Sequence, residues 1–254
     1  LNFVDRVFDM PTRFTGAENL LAVYGYTLQI FCDFSGYTDM AIGISLLLGF
    51  KLMDNFNYPF KAKSVADFWR RWHISLSTWL QEYLFKPIQM SVRNLRIWGN
   101  VIAILITFIL CGVWHGSTWG FVFWGFLHAF FMSFSLLTKS IRTKFFSLIG
   151  LNNTKLLAFF QIFFTFHLIA FAFVYFRAST FEAASEVFNQ ILDYFHPGVL
   201  LQFVEGYRGV FVIMVIGYVI HFLPSKLYDY AEKILVAVPL PVKALILGVV
   251  IYFV

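Results

Sequence analysis

The chain has 254 residues, of which 59% are hydrophobic, 21% aromatic and only 13% charged, with a formal charge of +5. A soluble domain is nearer half apolar and a quarter charged, so the composition excludes an ordinary soluble enzyme and points to a lipid bilayer. The basic residues fall in loops between apolar runs, as the positive-inside rule arranges them, and no nucleic-acid module is recognisable; the bilayer, not nucleic acid, is the expected partner. The expected architecture is all-α, a polytopic transmembrane helical protein with interfacial or re-entrant helices around a central cavity. The chain begins without Met and stops inside an apolar run, and reads as a single membrane-embedded domain over 1–254, truncated at the N-terminus and slightly at the C-terminus.

Residues 1–19 are mixed in character, with Pro11 and Gly16, and read as a loop or interfacial segment. Residues 20–50 are mostly apolar but carry Asp33, Ser35, Gly36, Thr38 and Asp39. As one helix they would be roughly 45 Å long, more than the roughly 30 Å hydrocarbon core, so they must tilt, break or extend beyond it. Residues 51–96 are polar and basic, which favours the cytoplasmic side. Ser64 followed by Asp67 suggests a weak capping box, and Phe68–Phe85 reads as an amphipathic helix lying at or dipping into the interface.

Residues 101–113 are apolar but short, roughly 20 Å as a helix. A second apolar run covers 119–137, and both flanks are basic: Arg93 and Arg96 before, Lys139, Arg142 and Lys144 after. The chain is therefore expected to enter the membrane and return, with the turn at Trp114–Thr118 at membrane depth. Irregular backbone there must be buried in protein or line a wet cavity. Later spans are expected at about 156–176, 209–223 and 234–254, with an acidic, non-cytoplasmic stretch between the first two.

Six histidines punctuate this apolar chain. His115, in the expected membrane turn, is a candidate general base, since an intramembrane ionisable group is functional by default. His73 by itself reads as an interfacial histidine among belt tryptophans. His128, His167, His196 and His221 read as structural. A haem would need axial ligands on facing spans, which His128 and His167 are placed to offer, but no zinc-ligand spacing occurs and no metal is expected. Asp33 and Asp39 either pair with Arg70 or Arg71, line a cavity, or satisfy helix packing. Arg70 and Arg71 suit an anionic donor or lipid headgroups equally well. Cys32 and Cys111 form no disulfide framework and read as small buried hydrophobes.

Four ordered blocks carry a family resemblance. They are Cys32-Asp33-Phe34-Ser35-Gly36-Tyr37-Thr38-Asp39-Met40-Ala41-Ile42-Gly43, Asn55-Phe56-Asn57-Tyr58-Pro59-Phe60, Asp67-Phe68-Trp69-Arg70-Arg71-Trp72-His73-Ile74-Ser75-Leu76-Ser77-Thr78-Trp79-Leu80, and Trp114-His115-Gly116. Together they resemble the membrane-bound O-acyltransferases, in the bacterial branch of alginate O-acetyltransferase-like proteins, strongly over 20–130. The resemblance implies a tunnel through the membrane, an essential histidine at His115 and a second polar residue at His73. It makes Trp72, Trp114, Gly116, Asp33, Asp39, Arg70, Arg71 and Ser77 candidates for contact with substrate or tunnel.

The resemblance further implies a multi-pass protein of the bacterial cytoplasmic (inner) membrane without a permanently bound cofactor. The donor would be acetyl-CoA or another acyl thioester. The acceptor would be a hydroxyl of an extracytoplasmic polysaccharide, reached directly or through an extracytoplasmic acyltransferase- or esterase-like partner protein. Where relatives often carry a Gly-Gly-Asn-Arg-rich loop, this chain has Lys86-Pro87-Ile88-Gln89-Met90-Ser91-Val92-Arg93. The residues themselves also admit a non-enzymatic transporter or scramblase, with Asp33, Asp39 and the break at 114–118 lining a path.

Overall fold

A computed structural model describes residues 2–253, and every regular element among them is helical. The chain opens on α1 (Asn2–Asp9), within the stretch expected to be a loop or interfacial segment. Phe3, Val4, Val7 and Phe8 repeat at helical spacing and are all buried, which ties α1 into the core. Thr15 and Glu18 then form a reciprocal capping box that starts α2 (Gly16–Leu47).

Helix α2 is unbroken over 32 residues, or about 48 Å. Of the expected ways to take up its length, a break is not the one used. The first half packs against the helices around it, whereas from Tyr37 onward it carries an exposed apolar face that ends on Leu47 at 88% exposure.

The expected amphipathic helix over Phe68–Phe85 is not one element. Helix α3 (Val65–Trp69) ends, the backbone turns through Arg70–His73, and α4 (Ile74–Leu80) begins in a new direction before a π-helical turn at Gln81–Phe85. The Ser64 hydroxyl caps α3 by accepting the Asp67 N–H at 3.1 Å, as expected. The Asp67 carboxylate reaches back to Lys63 N–H at 3.0 Å rather than to Ser64. Phe68, Trp69 and Trp72 are buried, so the apolar side of the elbow packs into the helix bundle while Arg70 stays exposed.

A short α5 (Lys86–Ser91) leads to the helix pair α6 (Ile97–His115) and α7 (Trp119–Leu137), each of 19 residues. Helix α6 starts four residues before the apolar run and is about 28 Å long, enough for a full crossing. Trp98 near its start and Trp114 near its end are both exposed, about 24 Å apart along the axis. The turn at Gly116–Thr118 thus follows a helix long and apolar enough to cross a membrane.

The basic α8 (Lys139–Leu148) follows, then α9 (Lys155–Arg177), capped by Thr154. Beyond it lie α10 (Phe181–Asp193), α11 (Val199–Gly206) and α12 (Arg208–Phe222), the last two meeting at a bend of 98°. The span expected at 234–254 is split, because α13 (Ser225–Ala237) stops before Pro239 and α14 (Leu240–Phe253) restarts after it. Helices α6, α7 and α9 are long and apolar enough to cross a membrane, and α11 with α12 makes a fourth such segment if the bent pair is one span.

Candidate active site

His73 and His115 come from separate segments and line one cavity, together with Phe34, Trp72, Trp124 and Phe176. Its volume is about 50 Å³, room for about one water or two and not for an acyl chain. Each imidazole stands against aromatic walls. Phe34 meets His73 edge-on at 4.6 Å, and Trp124 and Phe176 meet His115 at 5.2 and 5.1 Å.

His73 occupies the elbow between α3 and α4 with φ +43°, in the left-handed region. That conformation costs a side-chain-bearing residue about 1–2 kcal/mol. Two backbone hydrogen bonds clamp it, Asn57 N–H to Arg71 C=O at 2.9 Å and Ile74 N–H to Asn55 C=O at 3.0 Å. Strain of this kind collects where a side chain must be aimed. Burial first, and the facing His115 second, hold the His73 pKa below the usual imidazole value, so the ring is neutral at pH 7.

His115 is the last residue of α6, and no described residue hydrogen-bonds to its ring. Gly116 then continues in extended backbone that any residue can adopt. What requires glycine is space: an added Cβ would stand 2.5 Å from Phe121 Cε2. Phe121 packs on His115 and Phe176 at 6.4 and 5.0 Å. Replacing Gly116 by Ala should push that ring toward the imidazole and lower transfer about tenfold or more. Parallel turnover and thermal-melting measurements check this; a full rate in a folded variant would show that Phe121 does not govern His115.

The other sequence candidates divide. Trp72 lines the same cavity and is only 5% exposed. Trp114 turns away and is 66% exposed, touching His115 only through its ring edge. Asp33 and Asp39 are exposed on α2. They do not pair with the arginines, because Arg70 and Arg71 both engage Asp67, at 3.5 and 3.1 Å. Burial opposes charge on Asp67, but the Lys63 N–H and the two guanidiniums outweigh it and hold its carboxyl below the usual value. Arg70 and Ser77 line a separate space of about 260 Å³ between the elbow and α6, and the Ser77 hydroxyl also bonds the Trp72 carbonyl at 3.0 Å. Trp69 borders both this space and the histidine cavity.

His128 is fully buried and its Nδ1 accepts the Trp69 indole N–H at 3.1 Å. His167 donates from Nδ1 to Phe163 C=O at 2.8 Å and accepts the Tyr24 hydroxyl at Nε2 at 2.9 Å. Among the described residues the two have no ring neighbour in common. His221 accepts Phe60 N–H at 3.2 Å. Cys111 is buried, but Cys32 is exposed. Asn55 and Ser75 touch His73 directly, but an Asn in a loop and a Ser near a helix start carry no chemical signature until folded.

The membrane-bound O-acyltransferase family model matches residues 6–178. The chain is similar to a peptidoglycan O-acetyltransferase of Helicobacter pylori, 40% identical over 73% of this chain and 34% of that protein. It is also similar to a probable alginate O-acetylase of Azotobacter vinelandii, 42% identical over 49% of this chain and 24% of that protein. A teichoic acid D-alanyltransferase of Bacillus subtilis is 36% identical over 65% of this chain and 42% of its own length. The matched region thus spans between about a quarter and two fifths of these relatives.

Proposed function

Because the chain belongs to the membrane-bound O-acyltransferase family, we propose that it is the histidine-bearing part of an enzyme that moves an acyl group, acetyl in the first instance, from a thioester to a hydroxyl. The observation that carries this reading is the meeting of two imidazoles from distant segments in one small aromatic-walled cavity. Transfer needs a base for the hydroxyl proton and a donor for the oxyanion that forms on the acyl carbon. Two neighbouring histidines supply both, and a hydrophobic surround strengthens each interaction. The hydroxyl oxygen bonds the acyl carbon, the C–S bond breaks, and the proton ends on the departing thiol.

The donor is acetyl-CoA or another acyl thioester supplied from the cytoplasm, with Arg70 beside the 260 Å³ space suited to its anionic groups. The acceptor is a cell-surface polysaccharide or a partner protein that passes the group on, and the site is the bacterial cytoplasmic membrane. The relatives' acceptors support this class, being peptidoglycan, alginate and teichoic acid by name.

The test uses the full-length protein in sealed vesicles given acetyl-CoA labelled in the acetyl group and a polysaccharide acceptor. The expected result is label bound covalently to the acceptor. Unmodified substrate crossing the membrane with no labelled product would instead identify a transporter.

A further inference from the structure

His73 has one polar neighbourhood besides the cavity it shares with His115. Its Nδ1 lies 3.4 Å from Asn55 Oδ1 and 3.4 Å from the Ser75 hydroxyl. Ser75 is itself tied to Asn55 twice, its N–H donating to Oδ1 at 3.0 Å and its hydroxyl at 2.7 Å. The Ser75 N–H decides which way the amide faces, since the reversed amide would set an NH₂ against another donor. The single hydroxyl proton of Ser75 goes to the shorter bond. Nδ1 therefore looks at two oxygens that offer lone pairs and no hydrogen. It is attracted to both only when it carries its own proton.

We infer that Asn55, seated by Ser75, is a positioning residue that holds neutral His73 as the Nδ1–H tautomer and leaves the Nε2 lone pair to the cavity. Its mechanistic consequence rests on the acyl-transfer reading; the tautomer does not. A neutral His73 so held cannot donate to an oxyanion in the cavity. It takes the hydroxyl proton at Nε2 as the oxygen bonds the acyl carbon, and that proton later leaves with the thiol. The donor task then falls to His115, whose ring no described residue engages. This is the arrangement in which a second group fixes the tautomer of a catalytic imidazole.

Among the described residues, the other titratable side chain lining the cavity is His115. Along the chain, Asp54 and Arg70 are exposed, and Arg71 is paired with Asp67.

The first test reads the ring directly. Solid-state NMR of the full-length protein in lipid with ¹⁵N-histidine, the His73 signals being those lost in His73→Gln, should show a protonated Nδ1 and a bare Nε2. Asn55→Leu should move the proton toward Nε2. A bare Nδ1 in the wild type, or an unchanged ring in Asn55→Leu, overturns the inference.

The second test reads turnover of labelled acetyl-CoA. Asn55→Leu should lower kcat at least tenfold with KM for the thioester unchanged. Asn55→Asp keeps Oδ1 but adds charge beside Nδ1, which raises the His73 pKa. The acid limb of its kcat profile should then move to higher pH by about one unit or more, because a more alkaline solution is needed to bare Nε2. A wild-type profile in Asn55→Asp counts against the assignment. Should the wild type transfer no label at all, the acyl-transfer reading fails, while the NMR result still decides the tautomer.

Discussion

His115→Ala is expected to reduce labelled acyl transfer by about 10²–10³-fold, the usual contribution of a positioned oxyanion donor. The protein should still insert and fold. No hydrogen bond to the ring exists among the described residues to be lost, so the stability cost is confined to aromatic packing against Trp124 and Phe176, about 1–2 kcal/mol. His115→Gln, which fills more of the space and keeps an N–H donor, should regain stability and part of the rate. The measurement is initial-rate transfer in vesicles normalised to folded protein. Transfer at the wild-type rate in His115→Ala would remove His115 from the chemistry.

The largest structural effect is expected at the crossing of α6 and α7. An added Cβ at Gly125 would overlap the Phe108 carbonyl oxygen and come within 3.1 Å of its carbon. On the other helix, a Cβ at Gly112 would meet the Phe121 carbonyl in the same way, with its carbon at 3.1 Å. These obstacles are backbone, which cannot swing aside as a side-chain tip can. Close helix approach through small residues is how membrane helices gain packing energy without a hydrophobic drive between them.

Gly125→Leu must therefore separate the pair, at a cost of about 3 kcal/mol or more. It should also dismantle the site, since His115 and Trp124 lie on these two helices. Gly209→Ala, at a helical position with nothing within 4 Å, is the matched control and should be neutral or stabilising by up to about 1 kcal/mol. Detergent thermal melts of the two variants check the contrast. Equal melting temperatures would show that the α6–α7 contact is not the tight one described.

Some elements were legible in the chain and others were not. The span at 155–177 follows from length and hydropathy, because lipid demands about 20 apolar residues whatever lies beside them. Helix α1 falls in a stretch that reads as a loop or interfacial segment, although Phe3, Val4, Val7 and Phe8 hold a helical repeat and Thr15-x-x-Glu18 holds a capping box. Eight residues are simply too few for such a signal to stand out against a loop. The single helix expected through Phe68–Phe85 failed for a different reason. Nothing local forbids it, but the bundle offers Trp69 an indole partner in His128 and offers His73 a clamp from Asn55 and Asn57, and these tertiary bonds outweigh helix continuity.

The amino-acid sequence by itself determined the solvent, the helical class and the family, because each depends on how many apolar residues stand in a row or on which residues follow one another. It also singled out His115 and, through the family resemblance, His73. Only the tertiary structure decided that the two share a cavity, that Asp33, Asp39 and Trp114 stand outside it, and that Asp67 rather than Asp33 or Asp39 takes the arginines. It alone brought Asn55 against the imidazole. The physical reason is that a left-handed residue at an elbow and a carbonyl-to-glycine helix crossing are set by contacts between residues far apart in the chain, and no local preference encodes them.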